Sequence, residues 1–231
     1  MQSIPFITVV IPVFNGERYI ADAIDSVLRQ TCGMYEIIVA DDGSTDQTCS
    51  VVQRYGPIVR YEYQQNAGPA AARNRGIGLA KGDFVAFLNA DDLWHPRKCA
   101  IQIARLSEQS SLVGCAAHVE NFIADDADIG IGARINPFIR QTLVTHGSTL
   151  LVRRSLFDAV GALNTEYRHR DLQDLLVRAE DLGLRTEILP DVLAQRRIHS
   201  SNRSQSRSGA DQMELIAITR ARHARRRTAG A

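Results

Sequence analysis

The chain has 231 residues, 45% of them hydrophobic and 23% charged, with 27 Lys plus Arg against 26 Asp plus Glu. That length holds one large domain or two small ones, and that balance excludes a wholly disordered chain. A formal net charge of +1 gives no global argument for nucleic acid, and none is expected as a partner.

Cys32, Cys49, Cys99 and Cys115 lack the close pairing of a zinc site and read as core or free thiols, which fits a reducing compartment. No apolar run approaches the roughly 18 residues of a membrane span. Met1 to Ile11 carries no positively charged start to a signal peptide, so a cytoplasmic protein is expected.

Phe6 to Pro12 is a short apolar, β-branched run stopped by a proline, the profile of a buried parallel strand. After Asn15-Gly16 the period changes, and Tyr19, Ile20, Ala23, Ile24, Val27 and Leu28 mark one face of a helix. Glu36 to Ala40 is a second strand running into Asp41-Asp42-Gly43-Ser44-Thr45-Asp46, where Thr45 or Asp46 caps the next helix. Ile58 to Tyr63 alternates as a half-buried strand. Pro69 opens a helix over Ala70 to Ala80 whose small residues, Gly76 and Gly78 among them, permit close packing. Phe84 to Leu88 is a buried strand ending at Asn89-Ala90-Asp91-Asp92, and a helix follows from about Pro96 to Gln109. Strand and helix alternate four times, the mark of a doubly wound, mostly parallel sheet.

The second half is less regular. Ser111 to Phe122 is strand-like, Ala124 to Gln141 a long loop, Gly147 to Arg153 a strand, Asp171 to Leu182 a helix and Val192 to Ile198 a terminal strand. Arg220, Arg222, Arg225, Arg226 and Arg227 crowd the end, as a solvated or frayed tail or as a contact to an anionic membrane or nucleic acid.

In open α/β sheets ligands collect at the carboxyl ends of strands, where Asp41-Asp42 and Asp91-Asp92 both stand. Converging carboxylates repel unless a cation offsets them, and Mn²⁺ or Mg²⁺ shared with substrate phosphates is the usual solution. A nucleoside diphosphate leaving group gathers negative charge that such an ion neutralises. Arg73 adds positive character at the same edge, as a donor contact or as a salt bridge to a neighbouring Asp. No Gly-x-Gly-x-x-Gly follows the first strand, which disfavours a dehydrogenase.

Four blocks in order, Val9 to Asn15, Ile37 to Asp46, Asn66 to Asn74 and Phe87 to Pro96, resemble the family 2 glycosyltransferases from about Ile7 to about Ser204. The resemblance implies an α/β GT-A fold: a doubly wound, mostly parallel nucleotide-diphospho-sugar transferase sheet flanked by helices. It divides the chain into a domain over 1–205, with a donor half to about 110 and an acceptor half from about 111, and a basic helix or tail over 206–231. It further implies that Pro12, Phe14 and Glu17 line the nucleotide, that Asp41 or Asp42 accepts from its base, and that Arg73, Asn89, Ala90 and Asp91 meet the donor. Asp91 is the metal ligand of a motif that elsewhere in the family reads Asp-x-Asp. Asn89 keeps hydrogen-bonding capacity there but brings no charge. The segment Arg196 to Ser204 resembles the stretch that folds over the donor diphosphate, with Arg196 and Asn202 as contacts and His199 as a second metal ligand.

The family's general base is the Asp of a Glu-Asp pair at a helix start. Counting back from Val177-Arg178-Ala179 aligns Leu172 with that base, and a leucine takes no proton. Asp171 and Asp174 are the remaining candidates, against a plain helix-capping role for Asp171. The resemblance therefore implies metal-dependent, inverting transfer from a UDP-sugar to a hydroxyl of a saccharide or lipid-linked saccharide, in cell-surface polysaccharide biosynthesis. Asn89 and Leu172 keep a non-catalytic nucleotide- or carbohydrate-binding module in view. A sugar nucleotidyltransferase fits less well, because Pro12 to Gly16 lacks the charged glycine-rich loop that holds a triphosphate.

Overall fold

The computed structural model describes residues 5–124, 146–199 and 210–229. Strand β1 (Phe6–Val13) continues into α1 (Ile20–Leu28), followed by β2 (Met34–Asp41), α2 (Thr48–Gln53), β3 (Val59–Tyr63), α3 (Pro69–Leu79) and β4 (Phe84–Phe87). The short β5 (Leu93–Trp94) precedes α4 (Lys98–Glu108) and the long β6 (Leu112–Ile123). Next come β7 (Leu151–Arg153), α5 (Ser155–Val160), α6 (Asp171–Asp181), β8 (Arg185–Ile198) and α7 (Ala210–Ala229).

One eight-stranded sheet runs β3-β2-β1-β4-β7-β6-β8-β5. Strands β3, β2, β1 and β4 are parallel, as the alternating helices require. Beyond them β7 is antiparallel to both β4 and β6, β8 is parallel to β6, and β5 is antiparallel to β8, so the sheet is mixed but mostly parallel, with β7 and β5 departing from the direction that the other described strands share. The departure of β7 falls in the half where the sequence loses its strand–helix alternation.

The pleat of β1 sorts side chains between two cores. Ile7, Val9, Ile11 and Val13 face one, where Ile20, Ala23, Ile24 and Val27 of α1 are fully buried. Val10 faces the other, with Val85, Phe87, Leu172 and Leu175. Helix α3 lies close on that second face because Gly76 has no side chain: a Cβ there would sit 2.4 Å from Val10 Cγ1. Gly76→Ala is therefore expected to cost about 1–3 kcal/mol by overpacking, more than the roughly 1 kcal/mol that alanine gains in helix propensity. Urea unfolding of the variant measures this, and an unchanged midpoint refutes it.

Two segments differ from their expected form. Gly147 to Thr149 is a single 3₁₀ turn, closed by Thr149 N–H to His146 O at 3.0 Å, and only Leu151–Arg153 is strand. Strand β8 begins seven residues before Val192, at Arg185, and absorbs Pro190. Because β5 pairs with β8 only at Leu93 and Trp94, the missing N–H of Pro190 breaks no ladder there. The arginine-rich end is a helix packed on α6: Ile218 is buried, and Asp181 receives Arg222 at 3.1 Å and Arg225 at 3.0 Å. The long loop expected from Ala124 falls almost wholly outside the described residues.

Candidate donor and acceptor site

Chain order reverses at β1: β2 and β3 lie on one side of it and β4 on the other. A crevice opens at such a switch point, and here it has a volume of about 880 Å³. Two loops form its floor. Asn15, whose φ of 51° is in the left-handed region, accepts Thr45 N–H at 2.8 Å and donates its own N–H to Ser44 Oγ at 2.8 Å. Asp46 accepts Glu17 N–H at 3.0 Å, and Glu17 Oε2 accepts Gln47 N–H at 2.7 Å. Asp46 also accepts Thr48 N–H at 3.0 Å, but the N-cap of α2 is Gln47, so neither Thr45 nor Asp46 stands at the cap position expected of it.

Pro12, Phe14 and Glu17 line the crevice, and Phe14 is 52% exposed. Asp42 also lines it, and its carboxylate accepts Gln64 Nε2 at 2.8 Å, Ala67 N–H at 2.9 Å and Gly68 N–H at 2.8 Å. Those bonds fold the 64–68 turn back onto β2, with Gly68 at φ 97° where a side chain would be strained. Asp41 does not reach the crevice. It is fully buried, accepting Ser44 N–H at 2.7 Å and the Tyr61 hydroxyl at 2.7 Å, and it holds that phenol well above its usual range through burial and a hydrogen bond.

On the opposite wall Asn89, Ala90 and Asp91 line the crevice together with Arg196 and His199. His199 Nε2 stands 3.2 Å from Asp91 Oδ2, and its ring lies 4.7 Å from that of Tyr19. Burial presses the Asp91 carboxyl upward, but the imidazole outweighs it and leaves the group below the usual carboxylate range. Arg197 clamps this corner from behind, donating to Asp91 O at 3.1 Å and to Asp22 at 2.7 Å and stacking over Tyr19. Asp92 is buried beneath. Burial and the neighbouring Asp91 push it up to about 8, against hydrogen bonds from Ser148, Asn89 and Arg197 N–H. Asn202 lies outside the described residues.

One carboxylate a third exposed and one imidazole at its side form a donor set suited to a divalent cation whose other positions are filled by phosphate oxygens. Among the described residues there is no group of three or more metal-ligating side chains. The residues fit an ion shared with a bound diphosphate.

The acceptor-side expectations meet a different arrangement. Arg73 is 6% exposed, lies outside the crevice wall and spans two elements, donating to Asp171 Oδ2 at 2.7 Å and to Asn89 Oδ1 at 3.1 Å. The salt-bridge reading of Arg73 is the one realised. Asp171 is the first residue of α6 and makes no cap; its carboxylate is turned to Arg73. Asp174 pairs with Arg178 one turn on, at 2.8 Å, and is equally buried. Neither lines the crevice. Leu172 is buried among Val10, Phe87 and Leu175. Gly147 fits between these groups: a Cβ on it would lie 3.1 Å from Leu172, 3.4 Å from Asn89 Oδ1 and 3.5 Å from Arg73 Nη2.

Sequence reading missed Arg18, Arg168 and His146, all of which line the crevice. His146 Nε2 is 3.6 Å from Asp92. Arg168 arrives from the turn before α6, where Glu214 of α7 accepts Arg168 N–H at 2.9 Å, His169 N–H at 3.0 Å and Arg170 N–H at 3.0 Å. No local motif announces a contact across 46 residues.

A family model described as glycosyl transferase family 2 matches residues 8–161. An uncharacterized glycosyltransferase of Rickettsia typhi is 33% identical over 184 residues, covering 74% of this chain and 57% of the relative. The putative teichuronic acid biosynthesis glycosyltransferase TuaG of Bacillus subtilis is 38% identical over 110 residues, covering 46% of this chain and 44% of TuaG. The chain thus spans 57% of each of the first two curated relatives and less than half of TuaG. Among solved structures, S. aureus TarS 1–349 in complex with UDP-GlcNAc superposes with a TM-score of 0.67 at 21% identity, over 87% of this chain and 61% of that one. The mannosyltransferase PcManGT of Pyrobaculum calidifontis, in complex with GDP-Man and Mn²⁺, also gives 0.67 at 21% identity, over 89% and 61%.

Proposed function

We propose, from the premise that the chain belongs to glycosyl transferase family 2, that it moves a sugar from a nucleotide diphosphate sugar to an acceptor oxygen with inversion, in a single displacement. The observation that carries this is the crevice at the switch point, which sets the exposed Phe14 ring on one wall and the Asp91–His199 pair with Arg196 on the other. Phe14, Pro12 and Glu17 hold the nucleoside, while Asp42, its oxygens engaged by the 64–68 turn, keeps that wall in place. Asp91 and His199 would hold Mn²⁺ or Mg²⁺, which would supply positive charge to the departing diphosphate. Arg196, with Asn202 beyond it, adds charge-assisted hydrogen bonds to the same group. Fixing both substrates in one crevice supplies much of the acceleration.

Residues to about 110 serve the donor and residues from about 111 the acceptor, apart from Arg196, His199 and Asn202, which serve the donor diphosphate. A UDP-linked donor is favoured by the resemblance, and cell-surface polysaccharide synthesis by the relation to TuaG. Among the described residues no helix is long and apolar enough to cross a membrane. We place the protein in the cytoplasm, with Arg220 and Arg227, which no α6 carboxylate holds, available to an anionic bilayer.

A non-catalytic binding role is the competing reading, favoured by Leu172 at the base position and by the ion pairs of Asp171 and Asp174. The two separate in a donor-hydrolysis screen across UDP-, GDP- and dTDP-sugars with Mn²⁺ or Mg²⁺ titrated in. Metal-stimulated release of nucleoside diphosphate from one donor class is expected. Nucleotide binding without turnover supports the binding module, and no binding at all removes both.

A further inference from the structure

Cysteines take no part in the sugar chemistry above, yet two of them meet. Cys32 follows the end of α1 and is half-buried; Cys99 stands in the first turn of α4 and is 2% exposed. Cys32 packs against the core cluster that contains Cys99, and the two thiols share a hydrogen bond. The chain on either side holds them there. Gln30 Oε1 accepts Cys99 N–H at 3.0 Å, Gln30 Nε2 donates to His95 O at 2.8 Å, and Thr31 N–H donates to Pro96 O at 3.0 Å. Residues 30–32 are thus laid against residues 95–99 by bonds that do not depend on the sulfurs.

A buried cation stands beside the pair. Lys98 is fully buried, with Nζ donating to Gln102 Oε1 at 2.7 Å and lying 4.1 Å from the centre of the Trp94 ring. Among the described residues no carboxylate forms an ion pair with it. Burying an ammonium is costly unless an opposite charge offsets it, and the groups whose charge acts on Lys98 are Cys99, Cys115 and Cys32. The hydrogen bond from Cys99, joined by the Lys98 ammonium, holds the Cys32 thiol below its usual range against partial burial. That same hydrogen bond, joined by burial, holds Cys99 well above its own. The accessible sulfur therefore ionises first, and the buried one keeps its proton. Cys115 is inert by comparison, since burial pushes it up to about 12.

We propose that Cys32 and Cys99 form a reversible dithiol–disulfide site, in which half-exposed Cys32 reacts with a low-molecular-weight disulfide and buried Cys99 resolves the product. The Cys32 thiolate attacks one sulfur of that disulfide, the bond between its two sulfurs breaks, and one small thiolate leaves with the electron pair. Cys32 is then a mixed disulfide and no longer a thiolate accepting from Cys99, so the first cause that raised Cys99 is gone while Lys98 remains. Cys99 gives up its proton to solvent, attacks Cys32 Sγ and expels the second small thiolate. Two protein thiols are oxidised by two electrons, and one small disulfide is reduced to two thiols. In a reducing compartment the pair stays open, and it closes when the surrounding thiol pool turns oxidising. The bond fastens the end of α1 to the start of α4.

The experiment uses the full chain without donor or metal, so its failure is separate from any failure of sugar transfer. Reduced protein is equilibrated in graded mixtures of oxidised and reduced glutathione, quenched in acid, alkylated and digested, and fragmentation of the linked peptides identifies the cysteines. As the oxidised share rises, Cys32 and Cys99 are expected to become joined, with Cys49 and Cys115 still alkylated, and dithiothreitol should reverse the change. Cys99→Ala is expected to stop at a glutathione adduct on Cys32, whereas Cys32→Ser should leave Cys99 unmodified in the folded chain. Lys98→Met should slow alkylation of Cys32 by about threefold or more, since the thiolate loses the ammonium beside it. The joined chain should unfold at a higher temperature than the reduced one, because the bond restricts the unfolded ensemble. A glutathione adduct that persists on Cys32 in the wild type, a bond to Cys49 or Cys115, or no oxidation until urea unfolds the chain overturns the proposal. So does an unfolding temperature that oxidation lowers, which would mean that the native geometry does not accommodate the bond. A Cys32 alkylation rate unmoved in Lys98→Met overturns the part given to Lys98.

Discussion

Replacing Arg73 by methionine is expected to lower the free energy of unfolding by about 3–5 kcal/mol, the usual cost of breaking a buried ion pair from one side. The side chains of Arg73 and Asp171 are 8% and 4% exposed, so water screens neither. Without the guanidinium, the buried Asp171 carboxyl loses its partner in an apolar setting among residues such as Leu172 and Leu175, and Asn89 Oδ1 loses its donor. The same argument predicts a comparable loss for Asp171→Leu. Arg73→Met combined with Asp171→Leu should recover most of the deficit, because two apolar groups of similar volume no longer leave a charge unpaired. A double-mutant cycle by urea denaturation measures the coupling. Simple additivity of the two losses would show that the pair is not the source.

Asp91→Ala should reduce metal-stimulated donor turnover by about 10²–10³, the scale for removing one group that stabilises charge in the transition state. Its effect on folding should be small or favourable. The side chain is a third exposed, and its charge is one of the two causes that push buried Asp92 up to about 8. Donor hydrolysis against Mn²⁺ concentration gives the first quantity and thermal unfolding without metal the second. A variant that keeps wild-type metal dependence would move the ion away from Asp91.

The donor side was legible because its chemistry is local. Strand periodicity located β1, β2 and β4, and topology then carried Asp42 and Asp91 to one crevice, since residues at the carboxyl ends of neighbouring parallel strands converge whatever their sequence separation. Asp41 shows the limit of that argument. Adjacent residues at a strand end point to opposite faces, and the residue count alone did not say which of Asp41 and Asp42 turns inward to Tyr61. The second half was less readable because its strands are set by partners rather than by pattern. Gly147 to Thr149 turns where apolar content suggested strand, and β8 runs on through Arg185 to Pro190 because β6 pairs with it there. Arg168 had no signal at all, since what makes it a site residue is a carboxylate on the last helix.

Asn89 bridges two polar neighbours, its amide oxygen toward Arg73 and its amide nitrogen 3.0 Å from Asp92. Only a group that accepts on one side and donates on the other satisfies both neighbours. Restoring the family's carboxylate at 89 alone would set it against Asp92 with Asp91 close by, and restoring a carboxylate at 172 alone would bury it in an apolar cluster beside Arg73, already paired to Asp171. The two departures from the family pattern also meet across Gly147. A carboxylate restored at either position alone is therefore expected to lower stability rather than to rebuild the family's site.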